Sequence, residues 1–265
     1  MNTRQSERYS RHILLKELGM DGQEKILAAH ALVIGAGGLG SPACYYLASA
    51  GIGKITLVDD DTVDLSNLQR QILHTTDRIG RPKAVSGKTT LSKINPDIDI
   101  IALNERPDES RLHELAESAS VVLDCTDNFA SRHIINRVCV ASRRPLVSGA
   151  ALQFDGQVSV YDMRANDAPC YSCLFSADQP FEDRKAAQFG VFAPVVGIIG
   201  TIQAAEALKL VAGIGKSLAG SLLILDGLTM SWTRIQLDRN PDCPVCGNTR
   251  PAPEITKRHN ERDRH

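Results

Sequence analysis

The sequence is short of several things, and each shortage narrows the reading. Net charge is nearly absent: 30 Lys and Arg stand against 31 Asp and Glu, a formal −1. That argues against a surface that coats nucleic acid, while leaving room for a local basic pocket. No uninterrupted apolar run reaches the length a bilayer requires, and the start, MNTRQSERYSRH, lacks the apolar core of a signal peptide. No nucleic-acid or membrane partner is expected, and a cytoplasmic location is. There are no internal repeats and no low-complexity segments. Hydrophobic content of 43% and charged content of 23% are ordinary for a globular protein, and 265 residues suffice for one sizeable α/β core. The expected division is a single domain over 1–248, comprising N-terminal helices (1–30), a nucleotide-binding half (31–150) and a second half (151–248). A charged, Pro-containing tail over 249–265 is expected to be disordered.

What is present is organised around residues 31–83. Leu32, Val33 and Ile34 form a short apolar run that ends in GAGGLG at 35–40; a helical segment over 41–50 follows, then a second apolar run over 55–58 that ends at Asp59. The order is strand, glycine turn, helix, strand, acid, as in a Rossmann-like, doubly wound sheet. Gly35 suits the tight turn, Gly37 and its neighbour Gly38 let the backbone approach phosphate, and Gly40 lets the helix pack on the strand. The helix amides then face the phosphates, and Asp59 lies where a carboxylate reaches ribose hydroxyls. The motif alone does not separate NAD from ATP.

The first thirty residues are predicted to hold two short helices, with Arg8 and Arg11 one turn apart on one face of the first and the second over 22–29. After Asp59 comes an unusually polar loop in which Asn67, Gln69, Arg70 and Lys83 supply donors and fixed positive charge at the edge where doubly wound sheets bind ligands. A helix over 83–94, a strand over 98–103, a helix over 109–117 and a strand over 121–123 are predicted next. Asp127 falls at the end of that last strand, where a carboxylate either caps the following helix or holds a cation beside phosphate. From Gln153 the pattern changes to antiparallel strands: 154–157 is predicted as a hairpin turn, an apolar helix over 194–211 follows, and strands over 222–225 and 230–237 close the sheet. The overall expectation is α/β, with a mostly parallel sheet extended by antiparallel strands.

Seven cysteines in a chain expected to sit in a reducing compartment point to metal before disulfide. Cys170 and Cys173 form one Cys-x-x-Cys pair and Cys243 and Cys246 another, the second followed by Gly247. This is a four-thiolate zinc arrangement of knuckle type, closed and therefore structural. Cys44, Cys125 and Cys139 are expected to be buried apolar residues.

Taken together, RYSRHILL at 8–15, GAGGLG, DDDTVDLSNLQRQILH at 59–74, GRPK at 80–83, LDCTDN at 123–128, PLVSGA at 145–150, GQVSVY at 156–161 and the two cysteine pairs resemble the ThiF/MoeB/HesA family, bacterial relatives of ubiquitin-activating enzymes. The likeness runs from about residue 6 to 247 and implies ATP as the nucleotide. It implies a nucleotidyltransferase that adenylates the C-terminal glycine carboxylate of a small ubiquitin-like sulfur carrier ending in Gly-Gly, with release of pyrophosphate, in thiamine or molybdopterin (molybdenum cofactor) biosynthesis. By that resemblance Asp59 would bind the ribose, Asn67, Arg70 and Lys83 the phosphates, and Asp127 a Mg2+ ion. Arg11 would reach the phosphates from the partner subunit of a homodimer, and the four paired cysteines would hold Zn2+.

The chemistry is consistent with this. A carboxylate nucleophile is already ionised and needs no general base; the difficulty is an anion attacking a polyanion, which fixed cations and a metal relieve. One departure stands out: where some family members carry a loop cysteine, this sequence has Ala186, and no other cysteine lies between Cys173 and Cys243. Sulfur would then come from a separate donor such as a cysteine desulfurase. The segments 59–76, 95–98 and 192–201 lean towards the thiamine branch. An NAD-dependent oxidoreductase, and a non-catalytic module that docks a ubiquitin-like partner, are the alternatives.

Overall fold

The computed structural model describes residues 1–177 and 186–247. The tail over 249–265 lies outside the described residues, and so does the side chain of Ala186.

Three short helices, α1 (Thr3–Arg8), α2 (Ser10–Ile13) and α3 (Gly19–Ala28), precede strand β1 (His30–Ile34). Arg8 and Arg11 do not share a helix, contrary to expectation. Tyr9 separates α1 from α2 because its side chain is buried, its hydroxyl accepting a hydrogen bond from Asn95 Nδ2 at 2.9 Å. The third helix also starts earlier than predicted.

Helix α4 (Gly40–Ala50) and strand β2 (Lys54–Val58) complete the first β-α-β unit, and Gly51, left-handed at φ 84°, ends the helix. Helix α5 (Lys83–Ile94), strand β3 (Asp99–Leu103), helix α6 (Glu109–Glu117), strand β4 (Val121–Asp124) and helix α7 (Phe129–Ser142) continue the alternation. Strands β5 (Pro145–Leu152) and β6 (Asp155–Asp162) form a hairpin; helices α8 (Tyr171–Leu174), α9 (Ala186–Phe189) and α10 (Ala193–Ala212) and strands β7 (Ser221–Asp226) and β8 (Ser231–Gln236) follow.

The eight strands form one sheet in the order β3-β2-β1-β4-β5-β6-β7-β8. β3 to β5 pair in parallel and β5 to β8 antiparallel, as the sequence patterning predicted. All five residues of β1 are buried, the mark of a strand covered on both faces. Ala31 and Val33 join one core with α4 and α10, while Leu32 and Ile34 join the other with α6 and α7, because successive side chains point to opposite faces. Each fully buried Leu or Ile, such as Leu47, Ile55 or Leu57, contributes roughly 1.5–3 kcal/mol.

Two further expectations are corrected. The hairpin turn is Gln153–Phe154, flanked by the Leu152–Asp155 pair, and Gly156 and Gln157 already belong to β6. Gln153 takes the left-handed conformation there at φ 52°; Gly156 is glycine because α10 crosses it, a Cβ falling 2.6 Å from Ile199 Cγ1. Second, α10 is long and apolar enough, by length and composition, to cross a membrane, where the sequence reading found no such stretch. Its inner face, including Val195, Val196, Ile199 and Ala204, is buried in the core against α4 and the sheet.

Candidate nucleotide site and cysteine centre

Parallel register sets the site. Ile34 pairs with Val58 on one side and with Asp124 on the other, so the chain leaves β1 between the carboxyl ends of β2 and β4. A cleft of about 830 Å3 opens at this edge. Gly35 turns the chain at φ +100°, where a Cβ would lie 2.6 Å from the Cys125 carbonyl oxygen. Gly40, at the start of α4, is pressed against the Gly35 carbonyl so closely that a Cβ would overlap it. Gly37 and Gly38 line the cleft, ahead of the helix end where backbone amides favour anions. Ahead of a Cβ at Gly37 only Gln71 Nε2 stands, at 3.6 Å.

Asp59 lines the same cleft. Its Oδ2 accepts from the Ala36 amide at 2.7 Å and its Oδ1 from the Asp61 amide at 2.9 Å. Burial raises its carboxyl above the ordinary value; those amides and the charge of Lys83 oppose the rise. Lys83 and Arg70 also line the cleft. Lys83 reaches Asp61 Oδ2 at 2.8 Å, with its side chain 6% exposed against 68% for Asp61. The Arg70 side chain lies over Gly38 and donates from Nη1 to the Ser66 carbonyl at 3.2 Å.

Asp127 is exposed at the cleft wall. It does not cap α7: Asn128 does, its Oδ1 accepting from Ser131 N at 2.9 Å. Asn67 sits in a 3-10 turn (Leu65–Asn67) and is not among the residues lining the cleft. Arg11 is exposed on α2, away from that lining, with no ion pair among the described residues. The fold thus brings together Gly35, Gly37, Gly38, Asp59, Arg70, Lys83 and Asp127, and leaves Gly40, Asn67 and Arg11 outside the cleft wall.

A second set of residues escaped the sequence reading: Thr126 and Arg132 line the cleft, and Asp124 and Gln203 lie behind them. Asp124, the buried last residue of β4, accepts from Ser148 Oγ at 2.8 Å and from Thr126 Oγ1 at 2.7 Å. Arg132, also buried, donates from Nη2 to the carbonyls of Thr126 at 2.8 Å and Gly149 at 3.1 Å. Gln203 of α10 donates to the Asp124 carbonyl at 2.8 Å. Together they fix the 124–128 turn that carries Asp127. Gln203 within the apolar α10 and Asp124 at the end of the apolar β4 were single polar signals, but nothing in the sequence joined them to Arg132.

The four paired cysteines converge behind the sheet. Their sulfur atoms all lie within 4.8 Å of one another, with Cys170 to Cys243 at 3.7 Å and Cys173 to Cys246 at 3.4 Å. Tetrahedral coordination at Zn–S distances of about 2.3 Å requires sulfurs about 3.8 Å apart, so the donor set fits zinc. The Asn240 amide points at Cys173 Sγ at 3.5 Å and Asn136 Nδ2 at Cys170 Sγ at 3.5 Å, as sulfurs carrying negative charge favour. Gly247 closes the knuckle, its amide donating to the Cys243 carbonyl at 2.8 Å. Cys44, Cys125 and Cys139 are buried as expected; burial pushes the Cys44 thiol up to about 12 and the Cys125 and Cys139 thiols well above their ordinary value.

The family model described as the ThiF family matches residues 9–245. The chain belongs to the ThiF family. It is 47% identical to the sulfur carrier protein ThiS adenylyltransferase of Escherichia coli, over 96% of this chain and all of that one. It is 44% identical to the molybdopterin-synthase adenylyltransferase of E. coli, over 91% of this chain and 96% of the other. Among solved structures, E. coli MccB in complex with MccA-N7isoASN superposes with a TM-score of 0.80 at 25% identity, covering 91% of this chain and 75% of that one. Within this ThiF-family fold the glycine turn and Asp59 meet at one cleft, and the two cysteine pairs meet in one cluster. The Lys83–Asp61 pairing, in contrast, joins two residues 22 apart and had no sequence signature.

Proposed function

We propose that this protein adenylates the C-terminal carboxylate of a small ubiquitin-like sulfur carrier, consuming ATP and releasing pyrophosphate. The observation that carries the reading is one continuous cleft. It begins at the glycine turn with Asp59, Arg70, Lys83 and Asp127, and runs on to Ala151 and Gln157 in the antiparallel half. The first end suits a nucleotide and the second an extended peptide tail. Family membership, with relatives named as adenylyltransferases, favours this over an NAD-dependent oxidoreductase or a silent docking module.

In this reading Asp59 takes the ribose hydroxyls, and Gly37, Gly38, Arg70 and Lys83 receive the phosphates. Asp127, exposed and free of the cap, would hold Mg2+, which supplies positive charge to the phosphates when bound. Arg70 and Lys83 are fixed cations where negative charge gathers as the carboxylate attacks the α-phosphorus. Asn67 reaches the phosphates from the rim. Arg11, solvent-facing and outside this cleft, is supplied to the cleft of a second copy in a homodimer. The paired cysteines hold structural Zn2+. The buried, unactivated Cys125 is no nucleophile, so sulfur reaches the adenylated carrier from a separate donor. The carrier is ThiS- or MoaD-like, with the ThiS-like class preferred.

The test is ATP–pyrophosphate exchange with purified ThiS-like and MoaD-like carriers ending in Gly-Gly. Exchange that requires an intact Gly-Gly terminus is expected. No exchange with either carrier, in a folded protein that binds ATP, would reject the proposal.

A further inference from the structure

His74 closes the polar motif of residues 59–74, and nothing above gives it a task. It is 5% exposed and is not among the residues lining the cleft. Its Nε2 lies 2.8 Å from the Ala36 carbonyl oxygen and its Nδ1 3.0 Å from Ser86 Oγ. A carbonyl can only accept, so Nε2 carries the hydrogen and bare Nδ1 accepts from the Ser86 hydroxyl. Ser86 is itself held, its carbonyl accepting from Arg78 Nη1 at 2.9 Å. Burial depresses the imidazole's affinity for a second proton; the Ala36 contact opposes this and the charges of Lys83 and Arg78 reinforce it, so the ring stays neutral in this one tautomer.

Ala36 is the one residue with a side chain between Gly35 and the Gly37–Gly38 pair, and its methyl group is fully buried. Its amide is held by Asp59 at 2.7 Å and its carbonyl by His74 at 2.8 Å. Both polar groups of that peptide segment are therefore tied to side chains from outside the turn. The rest of the turn is tied by backbone contacts, the Gly35 amide donating to the Val58 carbonyl at 2.8 Å and the Ser41 amide to the Gly37 carbonyl at 2.9 Å, so the peptide joining Ala36 to Gly37 is the one whose carbonyl is held by a side chain from outside the turn.

We propose that His74 is a positioning residue for nucleotide binding: by holding the Ala36 carbonyl it aims the Gly37 amide, which shares that peptide plane, at the phosphates. This rests on the nucleotide reading of the cleft, and the role is independent of the carrier. Loss of the Nε2 donor leaves a buried carbonyl unpaired, a cost that rotation of the turn would relieve.

The experiment titrates ATP with magnesium into wild type, His74→Gln, His74→Asn and His74→Leu by calorimetry, with melting temperatures in parallel. A Gln amide nitrogen reaches the place of Nε2, whereas that of Asn reaches only the place of Nδ1. His74→Gln is expected to bind ATP within about threefold of wild type, and His74→Asn and His74→Leu about tenfold more weakly, the scale of one buried hydrogen bond. Should His74→Leu fail to fold, the Gln–Asn comparison still decides. Equal ATP affinities in Gln and Asn variants, or affinities that merely track melting temperature, overturn the proposal while leaving the nucleotide site intact. A wild type that binds no ATP rejects the site itself, and the proposal with it.

Discussion

Lys83→Met removes a charge while keeping most of the aliphatic stem, and the structure sets the size of two separate effects. The stem is buried, with 6% of the side chain exposed, while its partner Asp61 is 68% exposed. Methionine fills the same slot, and Asp61 turns to water instead of remaining as a buried, unpaired charge. An ion pair solvated on one side is worth no more than about 1 kcal/mol, so the melting temperature should move by only a few degrees. Catalysis should suffer far more, because a fixed cation at a centre of developing negative charge is worth roughly 2.7–4 kcal/mol, or about 100- to 1,000-fold in rate. Carrier-dependent ATP–pyrophosphate exchange reads the second effect and thermal unfolding the first. Asp61→Asn serves as the control, since it removes the same ion pair without removing the cation, and should keep exchange within about tenfold of wild type. If Lys83→Met is folded and retains exchange within about threefold, the assignment of Lys83 to the phosphates is wrong.

Cys170→Ser or Cys243→Ser should lower metal content from about one zinc per chain and depress the melting temperature before it affects exchange in the folded fraction, because a closed four-thiolate site is structural; elemental analysis and thermal melts check this, and a metal-free wild type of full stability would exclude it. Gly40→Ala forces a methyl against the Gly35 carbonyl, backbone on backbone, so a stability loss of about 1–3 kcal/mol with weakened ATP binding is expected; unchanged ATP affinity would show that the turn tolerates opening. Asp59→Asn should weaken ATP binding and, because its NH2 replaces one of the two oxygens that accept from the Ala36 and Asp61 amides, should lower the melting temperature of the unliganded protein, most of all at low pH. Burial raises the Asp59 carboxyl, so its contribution to stability is present below the unfolded value and lost as pH rises through the folded one. The variant's melting-temperature deficit should therefore shrink over that rise, and a deficit that grows with pH would contradict it.

What could be seen in the sequence was whatever is written locally. Strand β1, the glycine turn, α4, β2 and Asp59 follow from neighbouring residues, because apolar runs, glycine sterics and helix starts all act over a few positions. The cysteine pairs were legible for the same reason, each pair being a local unit whose chemistry demands the other. Contacts between distant segments were not. The break at Tyr9 depends on Asn95, and Asn128 outcompeted Asp127 for the α7 cap by a difference of one position. The Gln153–Phe154 turn was displaced because Gly156 looked like turn chemistry, whereas it is required by Ile199 of α10. Asp124, Arg132 and Gln203 were invisible as a set, since only the folded sheet brings positions 124, 132 and 203 to one turn.

Helix α10 has a consequence for how the chain is made. Its apolar length alone would recommend it to membrane-insertion machinery, yet it is translated after α3, α4, β4, β5 and β6, the elements it covers. A domain folds as a unit, so this helix leaves the ribosome when the elements that will cover it have already been synthesised. A circular permutant opening at residue 186 would reverse that order, delivering the most apolar helix first with nothing to cover it.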